Sequence, residues 1–236
     1  MTSRDLSIAE SRLVLDGRWL IVSFACPHEC SSWAIVGGGS RVAGAVAWYR
    51  VTGQDLKPPV DPRELLRDRL REKGWTDAVG LLTSADLERY VDVRKTDGDR
   101  TVRCIGTVGL SNAVRVGDRV ERPSVVNTIN LLCEVSVPLT DAARLEAMTI
   151  VTEARTVAVL EAKLPSIQSG FPASGTGTDC IVVASAVGPN MEKYAGKHTR
   201  LGALIGRVAL ETMTLGIEKW REVNHGKENA QPKYSV

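Results

Sequence analysis

The chain has 236 residues, of which 43% are apolar and 25% charged, and its formal net charge is +2. This composition is that of a globular protein, and the length fits one large domain or two small ones. The small net charge and the absence of a Lys/Arg block argue against a nucleic-acid surface, and no apolar run approaches a membrane span.

The N-terminus lacks a basic region followed by an apolar core, so the sequence predicts no signal peptide. The five cysteines are odd in number and scattered along the chain. Reduced thiols in a cytoplasmic protein are therefore the simplest expectation.

The first predicted strand covers residues 19–25 and is followed by the sequence CPHEC at residues 26–30. The C-x-H-x-C spacing suggests a metal site, but it is not that of a zinc finger or ribbon, and no second ligand pair lies nearby. A loop with two free thiols is the favoured interpretation.

A strand-like run from residue 32 ends in three glycines, Gly37, Gly38 and Gly39, and residues 42–51 again predict a strand. The glycines could bring backbone close to a ligand, or they could form a hairpin turn. The turn is favoured on the sequence alone.

The first helix is predicted over residues 61–73, with Asp61 as its cap, Pro62 at the first helical position and Gly74 after its end. Residues 77–83 predict a buried strand that leads into Ser84.

The pair Asp97 and Gly98 predicts an exposed hairpin between strands at 91–94 and 101–108. The sequence GLSNAVRVG then forms a loop over residues 109–117. In it, Ser111, Asn112 and Arg115 could face a ligand or only satisfy the backbone of turns.

Residues 125–135 predict a long strand that carries Asn127, Thr128 and Asn130 in its interior. A buried amide without partners costs about 1–3 kcal/mol. The polar residues therefore indicate either a polar site at this strand or a bulge.

A long helix is predicted over residues 141–163, capped by Thr140 and ended by Pro165. Glu153 lies off the centre of its apolar face. A carboxylate at such a rim is usually solvated, and periodicity alone gives it no role.

The sequence ASGTGTD at residues 173–179 precedes an apolar strand at 180–184. Its glycines and hydroxyl side chains would bring N–H and O–H groups close to a ligand, and Asp179 ends the cluster. Taken alone, such a loop is more often a plain turn than an active site.

The last helix is predicted over residues 199–222, with Thr199 as its cap and His198 just before its N-terminus. The helix dipole disfavours a charged imidazole there, and a neutral imidazole can accept a proton. A capping or core histidine is the alternative. Residues 225–236 are expected to be a frayed tail after a domain of residues 1–224.

Together these stretches resemble the adenosylcobinamide amidohydrolase (CbiZ) family of corrinoid salvage, in ordered blocks from about residue 19 to residue 206. The blocks are SWAIVGGG (32–39), VGLLTSA (79–85), GLSNAVRVG (109–117), NTIN (127–130), TEAR (152–155), ASGTGTD (173–179) and YAGKHTRLG (194–202). The family pattern usually has Thr at Ser174, Gly at Asn127 and Lys at Arg155. Any single block is weak, but seven in order are specific.

The resemblance implies hydrolysis of the amide that joins the aminopropanol arm to a propionate of the corrin ring. The products would be adenosylcobyric acid and 1-amino-2-propanol, which returns scavenged corrinoid to coenzyme B12 synthesis. The expected partner is a small-molecule corrinoid, with no nucleic acid and no membrane. No cofactor is expected, because the cobalt belongs to the substrate, and a homodimer stays open.

Amide hydrolysis needs a nucleophile, a proton donor for the leaving amine and stabilisation of the oxyanion. In the matched blocks, His198 would be the general base or acid, and Asp179 would orient it or bind the attacking water. Thr176 or Thr178 could be a covalent nucleophile, and Lys197 could neutralise developing charge. The residues expected to bind substrate are Gly37, Gly38, Gly39, Ser84, Ser111, Asn112, Arg115, Asn130, Glu153, Ser174, Gly175 and Gly177.

Several alternatives stay open. A serine mechanism is weaker because no G-x-S-x-G turn is present, and a metal bound by Glu153, Asp179 and His198 is the less favoured version. The other function classes are a non-catalytic binder of corrinoid or nucleotide, and a structural domain.

For the fold, we expect a single α/β domain in which a mixed sheet with hairpins is packed by three main helices.

Overall fold

The computed structural model describes residues 11–119 and 127–224, which form a mixed α/β body with ten strands and three α-helices. The strands are β1 Arg12–Asp16, β2 Trp19–Ser32, β3 Gly39–Arg50, β4 Val79–Thr83, β5 Val91–Asp97, β6 Arg100–Val108, β7 Ala113–Val114, β8 Ile129–Val135, β9 Gly175–Thr176 and β10 Cys180–Ser185. The helices are α1 Pro62–Glu72, α2 Asp141–Glu161 and α3 Arg200–Asn224. The expected mixed sheet with three helices is confirmed.

Eight of the described strands form one sheet in the order β4-β3-β2-β10-β8-β6-β5, with β1 paired to β2, and β7 pairs with β9 separately. Most neighbours are antiparallel, whereas β10 runs parallel to β8 and β4 parallel to β3. The connection from β8 to the parallel β10 runs through α2, as parallel pairs require a crossover. The N-terminal ends of β8 and β10 therefore lie side by side.

The sheet is strongly coiled, and its two halves therefore share one core. Leu20, Trp48 and Leu81 from one half pack in the same buried cluster as Ile105 and Leu132 from the other. The Asn130 amide, at the start of β8, also donates to the Leu82 carbonyl of β4 at 2.8 Å. Coiling thus brings together strand ends that are far apart in the strand order.

The helices cover the outside of this coiled sheet. α2 and α3 pack on β5, β6, β8 and β10 over a second buried cluster, and α1 packs on β2, β3 and β4 over a third. Each helix begins at its predicted cap. Asp61 accepts from the N–H groups of Arg63 and Glu64, and the Thr140 and Thr199 hydroxyls accept from N–H groups three residues later.

The sequence CPHEC is not a loop, so that prediction was wrong. It lies inside β2, where the pairing register with β3 shifts between Ser23 and His28. Such a bulge absorbs extra residues without ending the strand. The His28 ring is buried and stacks on Phe24, with centroids 4.3 Å apart. Cys26 and Cys30, the two cysteines of this segment, are free thiols, as predicted.

The glycine turn behaves as predicted: β2 and β3 are antiparallel, and Ser32 pairs with Gly39. The strand-like run before it is instead the connecting segment, which bridges to β4 through Val36 and Gly80. The long strand predicted from residue 125 starts only at Ile129. Asn127 and Thr128 therefore precede β8, and only Asn130 is an interior strand amide. Residues 125–126 and the predicted tail at 225–236 lie outside the described residues.

Candidate active site

Asp179 lies at the end of the sheet where β8 and β10 begin. It immediately precedes β10, and the parallel register sets it beside Ile129. Its backbone carbonyl accepts a hydrogen bond of 2.6 Å from the Trp33 indole, which is itself about half exposed. The predicted polar loop is thus held between β8 and the segment after β2.

The Asp179 side chain is 6% exposed and fully engaged. It accepts from the Ile129 N–H at 3.1 Å, from the Thr176 N–H at 2.9 Å and from the Thr176 hydroxyl, and Arg155 Nη1 lies 2.7 Å away. Burial raises the pKa of this carboxyl, and the Arg155 guanidinium and the Thr176 donors act against that rise. The result is a carboxylate fixed in place and bonded to a hydroxyl.

Gly175 leaves the space in which this pair forms. A Cβ at residue 175 would overlap Arg155 Nη1 and lie 2.5 Å from Asp179 Oδ2. Arg155 Nη1 also donates to the Ser174 carbonyl at 3.1 Å. The glycine is therefore needed for close approach of the guanidinium to the loop.

The loop of residues 109–117 lies against the loop of residues 173–179, because β7 pairs with β9. The Ser174 hydroxyl accepts from the Val116 N–H at 2.8 Å, and Arg115 donates to the Pro172 carbonyl at 2.8 Å. Ser174 and Arg115 therefore form hydrogen bonds with backbone groups of the neighbouring loop, which is a structural role. Asn112 is buried, and its Oδ1 has no hydrogen-bond partner among the described residues.

A second group of polar side chains meets beside the loop. Asn127 Nδ2 donates to Ser111 Oγ at 3.2 Å, and Ser84 Oγ lies 3.5 Å from Asn127 Oδ1. The Thr178 hydroxyl donates to the Asn127 carbonyl at 3.3 Å, and Thr128 donates to the Thr178 carbonyl at 2.8 Å. Asn127 thus joins blocks that are far apart in sequence.

Ser84, Ser111 and Asn127 line a cavity of about 370 Å³ that the C-terminal part of α3 closes. Asn127 occupies space above Gly109, where a Cβ would overlap its side chain. Asn130 does not line the cavity; its amide is satisfied by the Leu82 carbonyl. A second and larger cavity, about 650 Å³, is lined by Trp33 and by Gly37, Gly38 and Gly39.

Among the described residues, no hydrogen bond or ion pair links Lys197 or His198 to Asp179. Lys197 Nζ forms a 2.6 Å ion pair with the exposed Glu153, and His198 is exposed just before α3. The neighbouring Ala195 N–H bonds to Glu146 of α2. Glu153, the partner of Lys197, lies two residues before Arg155 on the same helix.

The structure therefore brings Thr176, Thr178, Gly175 and Asp179 together but does not join His198 to them. Gly177 is exposed, with open space where a Cβ would stand. In the part of the chain that the structure describes, no three His, Cys, Asp or Glu side chains are grouped to hold a metal ion.

Sequence reasoning missed the roles of Arg155, Trp33 and Asn127. Arg155 is part of the TEAR block, but its partner Asp179 is 24 positions away. The spacing of the two residues gives no sign that they pair. Trp33 stood beside the glycine turn, and its indole N–H needed a partner. Asn127 had been placed inside a strand.

Comparisons with known proteins agree with the family resemblance that the seven sequence blocks indicate. The family model of adenosylcobinamide amidohydrolase matches residues 5–225. A protein of that name from Methanosarcina mazei is 28% identical over 200 residues, which cover 80% of this chain and 90% of the relative. Another of that name from Halobacterium salinarum is 29% identical over 184 residues, 71% of this chain and 70% of the relative.

Within residues 11–119 and 127–224, no helix combines the length and apolar content that crossing a membrane requires. The family match covers nearly all of the chain, including every block that carries the polar residues described above. The family consists of amide hydrolases, and this chain belongs to it: it is a member of the adenosylcobinamide amidohydrolase family.

Proposed function

We propose that this protein hydrolyses adenosylcobinamide at the amide between the aminopropanol arm and the corrin propionate. The products are adenosylcobyric acid and 1-amino-2-propanol, in salvage of corrinoid for coenzyme B12. The family match over residues 5–225 carries this proposal. The cobalt is part of the substrate.

Thr176 and Asp179 supply the reacting pair in this proposal. The Thr176 hydroxyl already donates to Asp179, a carboxylate whose pKa burial raises. When Thr176 Oγ1 attacks the amide carbonyl, Asp179 takes the proton and then passes it to the leaving amine. The C–N bond breaks, 1-amino-2-propanol leaves, and water hydrolyses the ester on Thr176.

The developing oxyanion requires donors that are fixed before the reaction. Gly177 and Thr178 are exposed beside Thr176. We assign their N–H groups to the oxyanion. Ser84, Ser111 and Asn127 then contact the substrate from the adjoining cavity. Arg155 positions Asp179 and does not itself touch the reacting atoms.

Lys197, His198 and Glu153 contact another part of the corrinoid in this proposal. None of them is bonded to Thr176 or Asp179 among the described residues, whereas proton transfer to the scissile amide needs a contact of about 3 Å or one bridging water. A macrocyclic substrate is wide enough to touch both places. Their loss should therefore raise KM more than it lowers kcat.

The test is incubation with adenosylcobinamide and quantification of released 1-amino-2-propanol, with and without exhaustive chelation. Wild type should release the amine, and chelation should leave the rate unchanged. Binding without release would favour a corrinoid binder over an enzyme. Loss of activity on chelation, restored by a metal ion, would favour the metal-dependent version.

The nucleophile is tested by a matched pair of variants in the same loop. Thr176→Val should reduce kcat by about 10²-fold or more, because the bond to Asp179 and the attacking oxygen are both lost. Thr178→Val removes a hydroxyl of the same kind whose one partner among the described residues is the Asn127 carbonyl. It should retain most of the activity, and the opposite order would exchange the two roles.

A further inference from the structure

The cavity beside the glycine turn has a strongly positive wall. The described residues that line it include four arginines, Arg41, Arg63, Arg67 and Arg71, and no carboxylate. Three of them recur every fourth residue along α1, so they lie on one face of that helix. This face is turned toward Gly37, Gly38 and Gly39.

These charges are only partly neutralised. Arg67 pairs with Glu64 at 2.7 Å and Arg71 with Asp68 at 3.0 Å, and the carboxylates of both pairs are more than half exposed. Such surface pairs stabilise by only about 0–1 kcal/mol and are readily exchanged for a better anion. Among the described residues, neither Arg41 nor Arg63 pairs with a carboxylate.

The glycine turn is shaped around one of the arginines. Arg41 Nη1 lies 2.9 Å from where a Cβ of residue 37 would stand, and Gly37 has a φ of 70°. A side chain at this position would displace the guanidinium. The backbone of the turn and the guanidinium of Arg41 therefore lie side by side at the cleft. Concave stretches of backbone N–H groups are known to bind anions, and a neighbouring positive charge favours such binding.

We propose that this cleft binds a phosphate-bearing small molecule, with the phosphate groups held by Arg41, Arg63 and Arg67. Guanidinium groups match phosphate oxygens in geometry and charge. The cavity volume, about 650 Å³, is sufficient for a ligand of nucleotide size. The half-exposed Trp33 ring, which also lines the cavity, offers a surface on which a base can stack.

The cleft is separate from the candidate active site, although one residue connects the two. Trp33 lines the cleft and also donates its indole N–H to the carbonyl of Asp179. A ligand that stacks on Trp33 would therefore act on the residue that fixes the candidate catalytic loop.

Equilibrium binding of sodium pyrophosphate and of ATP to the full chain, followed by calorimetry, tests the proposal without any turnover. The double variant Arg63→Gln with Arg67→Gln should weaken binding by about tenfold or more, since each removes a charge-assisted contact. Arg69→Gln is the matched control, because Arg69 is on the same helix, pairs with Glu72 and does not line the cleft. It should leave binding unchanged.

The two probes distinguish the sources of the phosphate. Equal affinity for pyrophosphate and ATP would identify a site for bare phosphate groups. Tighter ATP binding that is lost in Trp33→Leu would identify a nucleotide site, and both results support the inference. Absence of binding by wild type at millimolar concentration, or equal weakening by the Arg69 control, would overturn it.

Discussion

At the scale of single residues, Asp179 is governed by two opposing effects. Removal from water raises its pKa, whereas the Arg155 guanidinium and the Thr176 donors favour the charged form. An ordinary aspartate has a pKa near 3.9. A pKa raised above that value brings the carboxylate closer to the pH at which a general base is most effective.

This environment predicts the pH dependence of hydrolysis. Only the ionised form of Asp179 can accept the Thr176 proton, so kcat/KM should fall as the pH drops through its raised pKa. Arg155→Met removes an effect that lowers this pKa, and the acidic limb of the profile should then move to higher pH. An acidic limb that stays in place in Arg155→Met would separate Asp179 from the titration.

The cysteines give a second prediction at this scale. Burial raises the pKa of Cys30, Cys104 and Cys180 to about 12, whereas Cys26 is exposed. The thiolate is the reactive form, so buried thiols with such pKa values are inert. Cys133 is likewise buried, with a raised pKa.

Iodoacetamide should therefore alkylate one of the five thiols in the native protein, as measured by intact mass. Cys26→Ser should abolish the native reaction, and all remaining thiols should react after unfolding. Labelling of Cys30 in the native protein would contradict its position inside the bulged strand.

The sequence predicted the residues of the catalytic loop better than their partners. Thr176 and Asp179 were found because small hydroxyl residues, glycines and a carboxylate occurred together in a block of the family. Arg155 and Trp33 could not be assigned roles, since a pair between distant elements leaves no local pattern. His198 was placed correctly before a helix, but the sequence could not show that it forms no bond with Asp179 among the described residues.

At the scale of elements, the start of α3 is fixed by a close contact with the segment before it. A Cβ at Gly202 would overlap the carbonyl oxygens of Ala195 and Gly196. The Thr199 hydroxyl caps the helix by accepting from the Gly202 N–H at 2.9 Å. The position of Lys197 therefore depends on this glycine.

Gly202→Ala should displace the segment that carries Lys197 and lower the free energy of unfolding, measured by denaturant titration. Gly206→Ala is the control in the same helix, since its Cβ would meet Ile150 at an ordinary 3.4 Å. That control should stabilise the protein by up to about 1 kcal/mol, the helix preference of Ala over Gly. Equal effects of the two variants would contradict the packing described.

Element prediction succeeded where a local signal was strong and failed where pairing decided the structure. The three helices begin at their predicted caps because a cap is set by a few neighbouring residues. The CPHEC segment was misassigned because its spacing was weighed only as a metal site against a loop. The pairing of β2 with β3 and β10 keeps it extended across a bulge.

At the scale of the molecule, the coiled sheet encloses a core shared by its two halves. Leu132 is fully buried there, against residues from strands at the other end of the sheet order. This core fixes the relative position of β4 and β8, and with it the position of Asn127 beside Ser84. Stability and the geometry of the candidate site are therefore linked.

Leu132→Ala should lower the free energy of unfolding by about 2–5 kcal/mol, the cost of a cavity in a packed core. Leu145→Ala makes the same change at a position that is 63% exposed and should shift stability by less than about 0.5 kcal/mol. Denaturant titration compares them directly. Similar effects would mean that the interior of the coiled sheet is loosely packed.

The class of fold followed from the alternation of strand and helix patterns, but the strand order did not. Periodicity identifies which residues are buried and says nothing about which strand lies next to which. The coiling that brings Asn130 to Leu82 depends on that order. The candidate site could thus be predicted as a set of blocks and not as a geometry.

In the proposed mechanism, cleavage of the aminopropanol amide depends on the carboxylate of Asp179. The most direct test is single-turnover release of 1-amino-2-propanol from adenosylcobinamide by Asp179→Asn. Asp16→Asn is the control, because the exposed Asp16 carboxylate pairs with Lys73 and belongs to neither site described above. Asp179→Asn should bind the substrate but release the amine about 10²-fold more slowly or worse, while the control should match wild type. Release by Asp179→Asn at a rate close to that of the control would contradict this mechanism.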